Sequence, residues 1–385
     1  MYDQASQLNK HGKLKYIVTN YPKYYVKKFH IDEDKVVSLL FTGVLHRSIN
    51  KLYRYLGIKI PDSITKLLHN LYSKEVVPTV KKKIDFFIGL SSFSLEGIKK
   101  ANEYGVITIV DHGSINLEIE KEILLQEFKK FDVNKEYFNT VQNWIIDKEN
   151  EEFIEADYIL LGSTFAKETF IKKGFSENKL LVNNYGVDLN SFKHVEKMDN
   201  KFRIIYCGSF SIGKGLHYLL KAFNELKINN AELWLVGASK IVDKALLEVI
   251  RKMNINFENI IFKGQFPQNE LYKLYSQGTI FILPSLADGF AMVVPQALSC
   301  GLPVIVTEST GAKDIVKEGV NGFIIPPANK NAIKEKIEYL YNNADECEKM
   351  SKNAISSVLN GLTWDNYGDR LIDILEKCAK NRDYE

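Results

Sequence analysis

Apolar runs of strand length recur along the chain, each followed by a stretch with helical spacing. In the first half they are KYIVT (15–19), DFFIGL (85–90), VITIVD (106–111), YILLGS (158–163) and LLVNNYG (180–186). In the second half they are FRIIYCGS (202–209), ELWLVG (232–237), IIFKG (260–264), IFILPS (280–285), PVIVTE (303–308) and GFIIPP (322–327). These runs are near-continuous Ile, Val, Leu and Phe, the pattern of strands buried on both faces. Their alternation with helical stretches such as 214–227 and 331–342 predicts doubly wound α/β domains with parallel sheets. The polar stretch 188–201 has no clear period and reads as a linker, and 364–380 reads as a terminal helix with no strand after it. The expected domains are 1–192 and 193–362, followed by a terminal helical segment, 363–385.

Composition narrows this picture. At 385 residues the chain is long enough for two cores, and 45% hydrophobic with 26% charged residues is ordinary globular usage. No run approaches the roughly 20 apolar residues of a membrane span, and the start lacks an apolar signal core, so a cytoplasmic protein is expected. Cys207, Cys300, Cys347 and Cys378 have no metal-ligand spacing and read as small core residues. Charge is uneven: residues 1–100 hold 18 Lys and Arg against 8 Asp and Glu, whereas the remainder is net negative. A basic N-terminal segment can attract an anionic partner, such as a phospholipid surface or a phosphorylated acceptor; a plain solvated basic face is the blander and favoured reading.

The strand FRIIYC runs into GSFSIGKG (208–215) and then into the helical stretch LHYLLKAF. Gly208, Gly213 and Gly215 let backbone amides approach an anion, the following helix offers its positive end, and Lys214 adds a point charge. The loop nearly matches GxxxxGK[ST], but Gly215 replaces the hydroxyl that would hold magnesium, which argues against a P-loop NTPase. Farther on, Asp288, Gly289 and Phe290 follow the strand IFILPS and precede a helix expected to start near Met292–Val294. Ligands of open α/β sheets bind at such strand ends. Asp288 and Gln296 lie eight residues apart and can face one bound molecule, with the amides of Phe290, Ala291, Met292 and Val293 as a second anion site. Asp288 could instead be a helix N-cap.

The segments 204–223 and 283–327, with NNYGVDLNSF (183–192) and LTWDNYGDRL (362–371), resemble glycosyltransferase family 4, the GT-B architecture of two Rossmann-like domains facing across a cleft. The resemblance is strong over about 155–375. It implies retaining sugar transfer from a nucleotide-diphosphate sugar, as co-substrate, to a glycan, lipid or small-molecule acceptor, in glycan or glycolipid synthesis, with no catalytic metal or other cofactor. Gly208, Ser209 and Lys214 would bind the donor diphosphate. Asp288 stands at the first glutamate of the family's E-x7-E motif, which contacts the sugar, and Gln296 at the second, which binds the ribose. Gly289, Phe290, Ala291, Met292 and Val293 would complete the donor site, and the terminal helix would cross back to the first domain. Three departures stand out: Asp288 is one methylene shorter than Glu, Gln296 is uncharged, and Ser209 replaces the arginine of many members. A subset of the family carries similar residues, so they read as variation.

The segment 110–131 resembles the family's acceptor-side loop, and His112 there is expected to bond sugar or acceptor or to shuttle a proton; a surface loop histidine is the plain alternative. Asn116 and Glu118 are lesser candidates. Family members open with a strand and a glycine-rich loop, whereas YDQASQLNKHG already reads as a helix. The first domain is therefore expected to lack its first, central strand, through truncation or a misassigned start. Asp32-Glu33-Asp34 matches a metal-binding DxD pattern in the wrong domain and reads as a solvated turn, as does Lys81-Lys82-Lys83 as a surface run. No nucleic-acid module is recognisable. Alternatives are a sugar-nucleotide epimerase of the same fold and a truncated or inactive relative acting as a binding subunit.

Overall fold

The computed structural model describes all residues except 1, 57, 59, 138–141, 227, 229, 238–242 and 383–385. One end of the predicted helix 214–227 and the tail of segment 363–385 thus lie outside the described residues. The strands are β1 (Ile17–Thr19), β2 (Val36–Ser38), β3 (Phe86–Leu90), β4 (Ile107–His112), β5 (Tyr158–Leu161) and β6 (Leu180–Val182), then β7 (Phe202–Cys207), β8 (Ala231–Val236), β9 (Ile260–Gly264), β10 (Ile280–Leu283), β11 (Val304–Thr307) and β12 (Gly322–Ile325). The short β2 escapes sequence pattern because its three residues merge into the apolar start of the helix Leu40–Leu56.

The second domain is a parallel six-stranded sheet in the order β12-β11-β10-β7-β8-β9. Its two halves wind outward from the centre, so the crossovers diverge between β7 and β10, where Ile280 pairs Ile204 and Phe281 pairs Ile205. Every residue of β10 and β11 is buried, as their apolar runs require.

The first domain is divided. β1 and β2 form a parallel pair, and β3-β4-β5-β6 form a separate parallel sheet. Between β1 and β3 lies a cavity of about 830 Å³, lined by both strands and closed by residues such as Leu8, Tyr72 and Leu375. Among the described residues no strand lies between β1 and β3. The helix Trp364–Arg382 lies on the first sheet, where Tyr367, Leu371 and Leu375 pack with Ile109 and Leu160. Gln4 Nε2 donates to Tyr367 Oη at 3.1 Å, which ties the helix Tyr2–Lys10 to it. No helix among the described residues is long and apolar enough to cross a membrane.

Candidate active site

Sheet order brings together loops that are distant in sequence. Because β7 and β10 are neighbours, the turns at their carboxyl ends meet at the switch point of the second sheet. Gly215 has φ +65°, and an added Cβ would lie 1.9 Å from the Pro284 carbonyl oxygen. Only glycine fits such a backbone contact. Leu286 N also donates to Gly213 O at 2.9 Å, so the two loops form one surface.

Lys214 ends a 3-10 turn, Ile212–Lys214, and the following helix is Leu216–Glu225 with Gly215 as its N-cap. The lysine therefore precedes the helix end rather than forming its first turn. Its Nζ donates to Asp288 Oδ2, across 74 residues of sequence. The two side chains are 30% and 14% exposed, a partly screened pair that solvent or a ligand can still reach. Asp288 is fixed by its backbone: its N–H donates to Ser309 O at 3.0 Å, and its carbonyl accepts from Gly311 N at 2.9 Å. It does not cap the next helix, which begins at Val293 after Met292.

The first domain closes on the same place. A Cβ on Gly289 would meet Ser114 Cα at 2.6 Å, so the 113–114 backbone rests directly against this glycine. Ser163 Oγ donates to Gly289 O at 2.5 Å. Phe290 is buried edge-on to Tyr185, with ring centroids 5.4 Å apart. Ala291 holds φ +63°, a strained value for a residue with a side chain. Met292 and Val293 are half-buried, and Gln296 is buried with no protein hydrogen bond to its side-chain amide among the described residues. Gly208 N donates to Val236 O at 3.0 Å; Tyr206 Oη donates to Ser209 O at 2.6 Å, leaving the Ser209 side chain exposed.

His112 ends β4 but does not open onto the cleft. It is 2% exposed, with Nε2 donating to Ile115 O at 3.0 Å and Nδ1 at 2.9 Å from Ser91 Oγ. The carbonyl can only accept, so Nε2 carries a proton and, in a neutral ring, Nδ1 accepts a hydrogen bond from the Ser91 hydroxyl. Glu149 lies 3.9 Å away. Both nitrogens are engaged by protein, and direct action on a ligand requires breaking one of these bonds. Asn116 caps the helix Leu117–Lys130 by accepting from Glu118 N, and Glu118 pairs with Lys173 at 2.8 Å, so neither is turned to cleft chemistry.

Sequence reasoning missed three carboxylates. Burial pushes the Glu120 carboxyl up; Lys214 opposes this shift and Asp288 adds to it, which sets Glu120 within electrostatic reach of that pair. Glu127 accepts from His217 Nε2 at 2.9 Å and from Tyr218 Oη at 2.5 Å, joining the domains behind the glycine loop. Glu120, Leu124 and Glu127 share one helical face, the sequence signal for buried acids. Glu152 is fully buried and accepts from the amides of Ser92, Ser94 and Leu95 at 2.6, 2.7 and 3.0 Å. Burial still pushes its carboxyl up to about 7. Asp32 and Glu33, by contrast, pair with Lys35 and Lys27 on the surface, and Lys81, Lys82 and Lys83 are exposed. All four cysteines are buried and free.

Comparison with known proteins gives the same domain a family. Residues 188–357 match the family model "Glycosyl transferases group 1". The chain is 29% identical over 214 residues to the capsular polysaccharide biosynthesis glycosyltransferase CapM of Staphylococcus aureus, covering 52% of this chain and 54% of the relative. It is 25% identical over 187 residues to the uncharacterized glycosyltransferase MJ1607 of Methanocaldococcus jannaschii, covering 48% and 47%. The chain thus spans about half the length of these curated relatives. Among solved structures, Anabaena Alr3699/HepE in complex with UDP superposes with a TM-score of 0.68 at 16% identity, over 97% of this chain and 95% of that one. Sucrose-phosphate synthase from Thermosynechococcus elongatus gives 0.66 at 18% identity, over 83% and 80%. At these identities the superpositions speak for the fold, and the fold is GT-B. Residues 188–357 thus form a group 1 glycosyl transferase domain, set in a chain whose two parallel sheets have the GT-B fold.

Proposed function

We propose that this chain moves a sugar from a uridine-diphosphate sugar to a glycan, lipid or small-molecule acceptor, with retention and without a catalytic metal. The Lys214–Asp288 pair at the switch point carries the reading. With no donor bound, each charge neutralises the other. An incoming diphosphate takes Lys214, and Asp288 is released to hold the sugar hydroxyls. As the sugar–oxygen bond breaks, charge grows on the β-phosphate, where Lys214 and the amides of 289–293 stabilise it. Gln296 binds the ribose hydroxyls through its unpaired, buried amide. Gly208 gives the diphosphate access to backbone, and exposed Ser209 offers a neutral hydroxyl there.

His112 works by position in this reading: through Ile115 and Ser91 it holds the loop that presses on Gly289. Glu120, within electrostatic reach of Lys214, helps to eject the diphosphate after transfer. Closure of the domains excludes water and limits hydrolysis. The uridine assignment leans on HepE, a protein of the same fold solved with UDP and with UDP-glucose. The basic first 100 residues suit contact with an anionic membrane at the cytoplasmic face.

Calorimetric titration with UDP-, GDP- and ADP-sugars tests the proposal. UDP-sugar binding is expected, weakened roughly 10–100-fold by Lys214→Ala, the loss of one charge-assisted contact. Asp288→Asn is expected to spare UDP affinity and abolish transfer. Absence of any nucleotide-sugar binding, or equal affinity in the Lys214→Ala variant, would refute it.

A further inference from the structure

The helix Leu40–Leu56 is inverted relative to an ordinary surface helix. Only Thr42 and Gly43 along it are buried. An added Cβ on Gly43 would meet the Asn20 carbonyl oxygen at 2.1 Å, and Arg47 Nη1 donates to that oxygen at 2.9 Å. Thr42 and His46 line the first-domain cavity. Small and polar side chains therefore face protein. At roughly 100° per residue, Leu40, Val44, Tyr55, Phe41, Leu52 and Leu56 fall within one arc of about 160° on the other side. All six are exposed, Phe41 by 70% and Tyr55 by 88%, and Ile58 continues the exposed apolar surface past the helix. A surface helix normally turns its apolar stripe to the core; this one turns it outward.

Charge selects the occupant. From Lys35 to Pro61 the chain holds no Asp or Glu. Arg47, Lys51 and Arg54 are exposed and fall together along one edge of the apolar arc. A two-fold contact between copies through this face would bring two cationic rims together. An apolar face rimmed by cations instead matches a bilayer interface, with acyl chains beneath and anionic headgroups beside it.

We propose that the helix Leu40–Leu56 is a membrane-docking element. It lies in the interface of an anionic bilayer, with Phe41, Leu52 and Tyr55 entering the acyl boundary and Lys51 and Arg54 at the headgroup phosphates. This rests on the reading of an anionic membrane as partner and is independent of the donor chemistry.

Vesicle co-sedimentation of the full chain, without donor or acceptor, tests it. Vesicles of phosphatidylcholine with roughly one third phosphatidylglycerol are expected to bind at least about tenfold more tightly than phosphatidylcholine alone. The triple variant Phe41→Ser, Leu52→Ser, Tyr55→Ser is expected to lose about tenfold or more, with circular dichroism and UDP affinity unchanged. Lys51→Gln with Arg54→Gln is expected to weaken binding to the anionic vesicles only. Three results would overturn the proposal: no sedimentation of the wild type, unchanged binding of the triple variant, or a wild-type dimer that this variant dissociates. Should the triple variant misfold, unchanged anionic binding by the charge variant overturns it alone. Vesicle binding without nucleotide binding would sink the transfer reading and leave this one standing.

Discussion

The six-stranded sheet of the second domain is continuous, and its buried side chains form one connected core from Val187 to Val358. The first domain has a pair and a quartet of strands, and its buried side chains fall into separate clusters: around Ile98 and Val110, around Ala5 and Ile17, around Leu39 and Val76, and around Ile109 and Leu371. The cavity between β1 and β3 lies where these clusters would otherwise join. Packed interiors gain dispersion energy from every wall, and a void forfeits it. The half that carries Lys214 and Asp288 is thus held rigid by its sheet. The facing half leans on polar contacts, such as the Glu152 carboxylate gathering the amides of Ser92, Ser94 and Leu95. The proposed donor site, which would have to be in place before charge develops, sits on the better-packed domain.

The contrast can be broken most severely in the second domain. Gly215→Val forces a branched residue into a left-handed turn and onto Pro284 O. It is expected to lower that domain's stability by at least about 3 kcal/mol, read by hydrogen exchange on β7 and β10, and to abolish UDP binding. An effect below about 1 kcal/mol would mean that the loop is not rigid. The contrast should narrow when an extended apolar pentapeptide is fused ahead of Tyr2 to lie between β1 and β3. A gain of about 2 kcal/mol in first-domain stability is expected after ordering entropy, with new amide protection on both strand edges. No change there would show that the cavity is not a strand-shaped slot.

Acidity sharpens the comparison further. The folded-state pKa of Glu152 is raised to about 7 from an ordinary value of 4.5. The folded form therefore holds its proton more tightly than the unfolded form. Its favourable contribution is complete below the ordinary value and is lost as pH rises through about 7. First-domain exchange protection is expected to fall by about 1–3 kcal/mol over that window, while the second domain stays level. Glu152→Gln should flatten the profile; a profile unchanged by it would assign the effect to another group. The smallest effect is expected from Ser209→Arg. An added cation beside the exposed glycine loop should tighten UDP about threefold to tenfold in calorimetry and leave both domains equally stable. Weaker binding would place position 209 away from the diphosphate.

Much of the second domain was legible. The run 202–209 became Phe202–Cys207 and 280–285 became Ile280–Leu283, because strands buried on both faces need unbroken apolar sequence. The helix expected near Met292–Val294 starts at Val293. The turn at Lys214 was misplaced by two residues, since Gly215 in a left-handed conformation ends a 3-10 turn before the helix begins. His112 was harder: a histidine at a strand end gives no sign of whether neighbours occupy both nitrogens, and Ser91 and Ile115 do. Glu120 and Glu127 were not singled out in the sequence, although their spacing with Leu124 held the signal.

By itself the sequence determined the strand segments, the glycines of the 208–215 loop, and the acid and amide eight residues apart. These are local matters of side-chain volume, backbone freedom and periodicity, complete within short windows. Tertiary structure alone decided that Lys214 meets Asp288 and that the Leu40–Leu56 helix turns its apolar side outward. Which strands become neighbours and which helix faces are covered depend on burial summed over the whole sheet, and no stretch of sequence contains that sum.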